Sequence, residues 1–290
     1  MDRRKFLTIL GAGVLGAAAS TTAGYAAGDQ LNLAAKSLRT GAPTPTEPGS
    51  PTALPRHIPS PIPSPSALPP APLPRFDAPS LTRLARPAGQ IFGLPGEGKL
   101  VALTVDDGVS PEAISGYAEF IAATGMRVTF FVTSSYAGWE RNIDVLMPLV
   151  ESGHVQLANH TATHPSLLTS SDQRIVDELL TCENFLNRNF GVSGKPYFRP
   201  PFGFIDDRVQ AVASSVGYTV PVLWYGTLAD SGLLEPWQLK EFARKWLTAQ
   251  KIVIGHANFI TVTHCFDEIH RIIHERELQP VTLDDVFVRA

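Results

Sequence analysis

Cysteine is scarce in this chain: two in 290 residues, Cys182 and Cys265. That excludes a disulfide-dense scaffold and any zinc module built on several thiolates, and two buried free thiols are the expected state. Charge is also scarce, at 18% of residues, with a formal net charge of −3 and no long run of Lys or Arg. Nucleic acid is therefore not the expected partner. No apolar stretch of about 18 or more residues remains once a leader is set aside, so no integral membrane span is expected after processing. What is present in quantity is apolar sequence, 44%, enough for a sizeable core. Proline is unevenly spread, with 13 of the 25 prolines between Pro43 and Pro74.

The first residues read as an address. Arg3-Arg4-Lys5 precedes an uncharged run from Leu7 to Ala19 rich in Gly and Ala. The run is short for a span and suits a signal h-region. With the arginine pair it predicts a twin-arginine export signal over residues 1–27, ahead of an ordinary secretory signal or an uncleaved anchor. The destination is extracellular, in the cell wall or periplasmic. Residues 28–76 read as a proline-rich disordered linker, because proline lacks an N–H and cannot extend a helix or join a sheet interior. At roughly 3 Å per residue its proline stretch reaches on the order of 100 Å.

A folded domain is expected over 77–290, with its core from about Lys99. There, strand-like and helix-like segments alternate. Strands are predicted at 99–105, 128–132, 155–157, 197–198, 219–223, 252–254 and 281–282. Helices are predicted at 110–123, 141–152, 171–189, 206–216, 236–247 and 264–276. Ser110-Pro111-Glu112 is a helix start, with Ser as N-cap and Pro in the first turn. Such alternation argues for a parallel α/β architecture, open or closed into a barrel.

Polar residues fall at the carboxyl ends of these strands, where parallel α/β folds carry their sites. Asp106-Asp107-Gly108 follows the first strand, His160 and His164 the third, Arg199 the fourth, Asp230 the fifth and His256 the sixth. Each is ordinary alone: Asp-Asp-Gly makes turns, and a lone histidine at a strand end is more often structural than catalytic. The shared placement is the stronger signal. Histidines at i and i+4 share a face of a helical turn, and with Asp107 they form a His₂Asp set, the composition of a catalytic zinc site. His270 and His274 have the same spacing but sit mid-helix, and read as a plain helix face.

Together these residues resemble the NodB-type polysaccharide deacetylases, from about Lys99 to the end. The family's T-F-D-D-G appears as Thr104-Val105-Asp106-Asp107-Gly108, and H-[ST]-x-x-H-P as His160 to Pro165. R-x-P-[FY] appears as Arg199 to Phe202, and the closing V-T-L-D as Val281 to Asp284. His154, just before the second motif, reads as structural. Two motifs are degraded. Of D-x-x-D-W only Asp230 is kept, with Thr227 and Ser231 at the acid and tryptophan positions. L-x-H is Ile254-Gly255-His256, followed by the atypical Asn258 and Phe259.

The resemblance implies an irregular (β/α)7 barrel that removes N-acetyl groups from an amino-sugar polysaccharide. It implies a divalent metal, foremost Zn²⁺, held by Asp107, His160 and His164, which activates water and polarises the acetyl carbonyl. Asp106 is then the general base, with Arg199 paired to it. His256 is the general acid, supported by Asp230. The Phe202 backbone N–H faces the oxyanion, and Ile254 lines the pocket for the acetyl methyl. The degraded motifs leave two alternatives open: a weakly active or inactive glycan-binding barrel, and a metal-dependent esterase for O-acetyl groups or a non-sugar amide.

Overall fold

The strand carrying the Asp pair, β1 (Leu100–Asp107), is buried on both faces, as a central strand of a parallel sheet must be. In the computed structural model, which describes residues 73–289, it pairs in parallel with β2 (Val128–Val132) on one side and β7 (Lys251–His256) on the other. The export signal and almost all of the linker lie outside the described residues. β3 (Val155–Asn159), β4 (Tyr197–Phe198) and β5 (Val220–Pro221) follow in order beyond β2, while β6 (Gly226–Thr227) lies beyond β7. β5 and β6 are two ends of one stretch, so the chain between 220 and 227 leaves β4 at one edge and joins β7 at the other. That bent segment curls seven parallel strands into an irregular (β/α)7 barrel. β8 (Gln279–Pro280) adds to the start of β1.

Alternation along the strands sorts the core. Val101, Leu103 and Val105 face outward with Val128, Phe130 and Val253, and pack against the helices. Ala102, Phe131, Ala158, Tyr197 and Ile252 face inward and fill the lower barrel. The outer layer comprises α1 (Pro111–Thr124), α2 (Ala137–Glu140), α3 (Ile143–Glu151), α4 (Asp172–Phe190), α5 (Asp207–Ser215), α6 (Pro236–Trp246) and α7 (Phe266–Glu275). α1 starts as its sequence dictates: Ser110 Oγ accepts from Ala113 N at 3.1 Å, and Gly125 ends it at φ +70°. Cys182 and Cys265 are free and buried, as expected. No helix among the described residues is long and apolar enough to cross a membrane.

The helix expected at 141–152 is α3, Ile143–Glu151, preceded by the short α2. Three expectations need correction. The closing strand lies at Gln279–Pro280, and Thr282 instead caps a short helix, α8 (Leu283–Val286), accepting from Asp285 N. Residues before 99 contribute to the domain, through bridges Leu84–Phe287, Ile91–Val222 and Gly93–Lys251. The end of the expected linker is docked: Phe76 N donates to Thr124 O at 2.7 Å, and the Arg75 guanidinium donates to the carbonyls of Ala122 and Ala123. His270 is part of that docking, with Nε2 2.7 Å from Pro74 O, while the ring of His274 stacks on Phe76.

Candidate active site

Register brings the polar residues together. Asp106 pairs with Phe131 and His256 across its two ladders, Asp107 with Val132, and Asn159 with Phe198. The strand ends therefore lie side by side, and the residues at or just beyond them meet at one mouth. Arg199 is fully buried there. Its Nη1 donates to Asp106 Oδ1 at 2.5 Å, Nη2 to Thr104 Oγ1 at 2.9 Å, and Nε to Val222 O at 2.9 Å. The guanidinium lies 4.1 Å from the centre of the Phe131 ring, a cation–π contact. Asp106 is thus locked in orientation, with Oδ2 turned to His160 Nε2 at 3.5 Å.

Asp107 lies where the strand stops, in the left-handed region at φ +75°. Its carbonyl accepts from Thr133 N at 3.2 Å and from Trp139 Nε1 at 2.7 Å, which fixes the turn. Gly108 follows at φ +101°, where a Cβ would lie 2.3 Å from Trp139 Nε1. The glycine is therefore required both by its backbone conformation and by the indole beside it.

His160 and His164 do not lie on a helical turn as expected. They are on an irregular loop in which Thr161 and His164 are left-handed, at φ +72° and +59°. Glu178, buried on α4, organises this loop. Its Oε2 accepts from Ala162 N at 2.8 Å and Thr163 N at 2.7 Å, and its Oε1 from Thr163 Oγ1 at 2.6 Å. Asn159 Oδ1 accepts from Thr161 N at 2.8 Å. Glu178 was not singled out in the sequence. The signal available was an acid on the apolar face of a helix, between Ile175, Leu179 and Cys182.

Asp107, His160 and His164 present ligand atoms all within 4.8 Å of one another. Asp107 Oδ1 is 3.6 Å from His160 Nε2 and 3.5 Å from His164 Nε2. Ligands about 2.1 Å from a tetrahedral zinc are about 3.4 Å apart, so the spacing fits a common ion. His160 Nδ1 lies 2.7 Å from Arg199 O and must carry the proton to bond a carbonyl, which leaves Nε2 with a lone pair. Asp107 Oδ1 is buried and has no hydrogen-bond partner among the described residues. An orphaned carboxylate oxygen facing two imidazole nitrogens calls for a cation. Burial, and then the neighbouring His160, lower the pKa of His164 to about 4 against the pull of Asp107 and Asp106. It is therefore neutral at pH 7, as a ligand must be. Burial opposes charge on Asp107, but His160, His256, His164 and the Asn258 amide outweigh it and hold its pKa low.

Across the mouth, His256 Nδ1 lies 3.0 Å from Asp230 Oδ1, and His256 N donates to Asp230 Oδ2 at 3.2 Å. Burial disfavours the imidazolium. The Asp230 hydrogen bond and charge, with Asp106 and Asp107, more than reverse this and raise the His256 pKa to about 9. Ile254, buried and inward-facing two residues below His256, lies on the barrel's inner wall. Phe202 adopts φ +62° in the turn Pro201–Gly203, with its ring edge-on to His164 at 4.7 Å. All nine residues singled out as catalytic, metal-binding or substrate-binding thus lie on this end of the barrel or its inner wall. Thr227, at the degraded fourth motif, accepts from Ala229 N at 2.8 Å, and Ser231 is exposed.

Residues 93–221 match the family model described as polysaccharide deacetylase. Chitin deacetylase 1 of Cryptococcus neoformans is 37% identical over 122 residues, 42% of this chain and 25% of that protein. A peptidoglycan-N-acetylglucosamine deacetylase of Bacillus cereus is 29% identical over 145 residues, 50% of this chain and 65% of its own length. The match thus spans from a quarter to just under two thirds of these two relatives. Among solved structures, a peptidoglycan N-acetylglucosamine deacetylase superposes with a TM-score of 0.62 at 22% identity, over 70% of this chain and 94% of the other. A CE4 family pseudoenzyme from Bacillus anthracis superposes with a TM-score of 0.61 at 21% identity, over 70% of this chain and 72% of the other.

Proposed function

We propose that the chain is a NodB-type polysaccharide deacetylase that hydrolyses N-acetyl groups on an amino-sugar polysaccharide outside the cytoplasm. The observation that carries the reading is one mouth with three parts: a cation-seeking His₂Asp set, a carboxylate locked by a buried arginine, and a histidine held protonated by a second carboxylate.

Asp107, His160 and His164 would hold the metal. When bound, a divalent ion supplies Lewis acidity, polarising the acetyl carbonyl and acidifying water. Zinc is the favoured ion for two imidazoles and one carboxylate. Asp106 takes the proton of the attacking water, its Oδ2 being the oxygen turned towards the metal set. Arg199 contributes by holding Oδ1, so the base meets the water in one orientation. The Phe202 N–H would donate to the oxygen that becomes negative. His256, tied through Nδ1 to Asp230, has Nε2 for delivering a proton to the departing amine, which must leave neutral. Ile254 offers the apolar surface for the acetyl methyl. The leader in residues 1–27 supports export, and the proline-rich stretch a tether that gives the domain reach within a wall or periplasm.

The test is acetate release by the full chain from chitooligosaccharides, poly-N-acetylglucosamine and peptidoglycan fragments, with chelator and with added Zn²⁺. Chelator-sensitive release that zinc restores is the expected result, and the best substrate names the polymer. A metal-loaded, folded protein that binds these glycans without releasing acetate is a glycan-binding barrel. Release only from O-acetylated esters makes it an esterase.

A further inference from the structure

Asn258 departs from the family pattern, and its side chain is engaged at the metal set. Its Nδ2 lies 2.7 Å from Asp107 Oδ2. A carboxylate at neutral pH offers no proton, so the amide must present its NH₂ side and donate. The loop that carries it is stitched to the end of β1: Ala257 N donates to Asp106 O at 3.0 Å, and Ser110 N to Ala257 O at 3.0 Å. Asparagines in loops commonly bond their own backbone. Here Asn258 Oδ1 is buried and has no partner among the described residues, so the contact with Asp107 is what the side chain makes. The consequence falls on the two carboxylate oxygens unequally. Oδ2 is pinned by the amide, while Oδ1 is left bare and facing His160 and His164.

We infer that Asn258 is a positioning residue for the metal: it fixes the Asp107 carboxylate so that one oxygen alone is presented to the ion. The inference rests on the metal-dependent reading above. A neutral donor is the right chemistry at this position. It orients the carboxylate without adding a second negative charge 2.7 Å from it, and partners of this kind typically change metal affinity by 10- to 100-fold when removed.

The experiment is Zn²⁺ titration of the full chain, stripped with chelator, in competition with a chromophoric chelator at 25 °C. Wild type is compared with Asn258→Ala, with Asn258→Leu, which fills the space but cannot donate, and with His164→Ala. Circular dichroism confirms that each metal-free protein is folded at that temperature. The expected result is a Kd for zinc raised about tenfold or more in both Asn258 variants, with a larger loss in His164→Ala. A bond that merely joined two loops would lower the melting temperature and leave the affinity of the folded protein unchanged. Folded Asn258 variants that bind zinc like wild type would overturn the inference and leave the deacetylase reading standing. A wild-type chain that does not bind zinc would overturn both.

Discussion

Asp230→Asn tests whether His256 is the proton donor. Burial alone would make the imidazolium harder to form than in water. Asp230, with Asp106 and Asp107, reverses this and brings the His256 pKa to about 9, against an ordinary 6.5. A group that acts as an acid loses activity as pH rises through its pKa, so the wild-type alkaline limb belongs near 9. An asparagine carries no charge, and one of its two terminal atoms is a donor. It cannot accept from both His256 N and Nδ1, as Asp230 does. The imidazole then returns to about 6.5 or below. At pH 8 the protonated fraction falls from about nine-tenths to about one-thirtieth, a loss of about 30-fold in kcat/KM, or about 2 kcal/mol of transition-state stabilisation. At pH 6 the loss shrinks to less than about twofold. The assay is kcat/KM for acetate release from an N-acetylglucosamine oligomer between pH 5.5 and 9.5, at matched saturating metal. An equal loss at every pH, with the alkaline limb unmoved, would refute the assignment.

Asp106→Asn should lower kcat by about a thousandfold, within the range for loss of a general base, while zinc titration gives a Kd near wild type. Loss of zinc binding instead would move Asp106 into the ligand set. Glu178→Ala strips the partners from Ala162 N, Thr163 N and Thr163 Oγ1. It should cost about 3 kcal/mol, which calorimetry would read as a melting temperature lower by about 6 to 12 °C; a shift under 2 °C would show that the loop holds without it. Gly108→Ala places a methyl against the Trp139 indole in a backbone region that disfavours it. Soluble yield and near-ultraviolet circular dichroism should both fall, and a variant with wild-type signals would mean that Trp139 moves freely.

The strand positions and the gathering of polar residues at their ends were legible because both depend on local pattern. Apolar runs ending in polar residues mark parallel strands, and register then carries those residues to one edge. β2 and β4 were expected at the residues where they lie. The helical turn for His160 to His164 was misread because i, i+4 spacing is shared by helices and by loops that double back. What makes this segment a loop is a carboxylate on α4 satisfying its N–H groups, and Glu178 is 14 residues further along the chain. Distant partners of this kind leave faint marks in sequence. Residues 77–98 carry no strong periodicity, and their strand-like bridges are imposed by Phe287, Val222 and Lys251 across the barrel.

The departures from the family pattern are unequal in consequence. Thr227 stands where an acid is usual, yet its hydroxyl accepts from Ala229 N and supports the left-handed turn at Ala229, φ +60°, that delivers Asp230 to His256. The substitution there keeps the Asp230–His256 contact. Ser231 is exposed and offers no aromatic surface to a sugar. The substitutions therefore fall on the side of the mouth, while Asp106 with Arg199, the Asp107–His160–His164 set and the Asp230–His256 pair keep their geometry. On that argument the altered motifs act on which glycan binds and how tightly, so they should appear in KM across a panel of polymers, with kcat on the best of them remaining that of a working enzyme. A kcat uniformly below about 10⁻³ s⁻¹ on every N-acetylated glycan, far under the usual enzyme range, would mean that the geometry of the three parts is not sufficient for turnover.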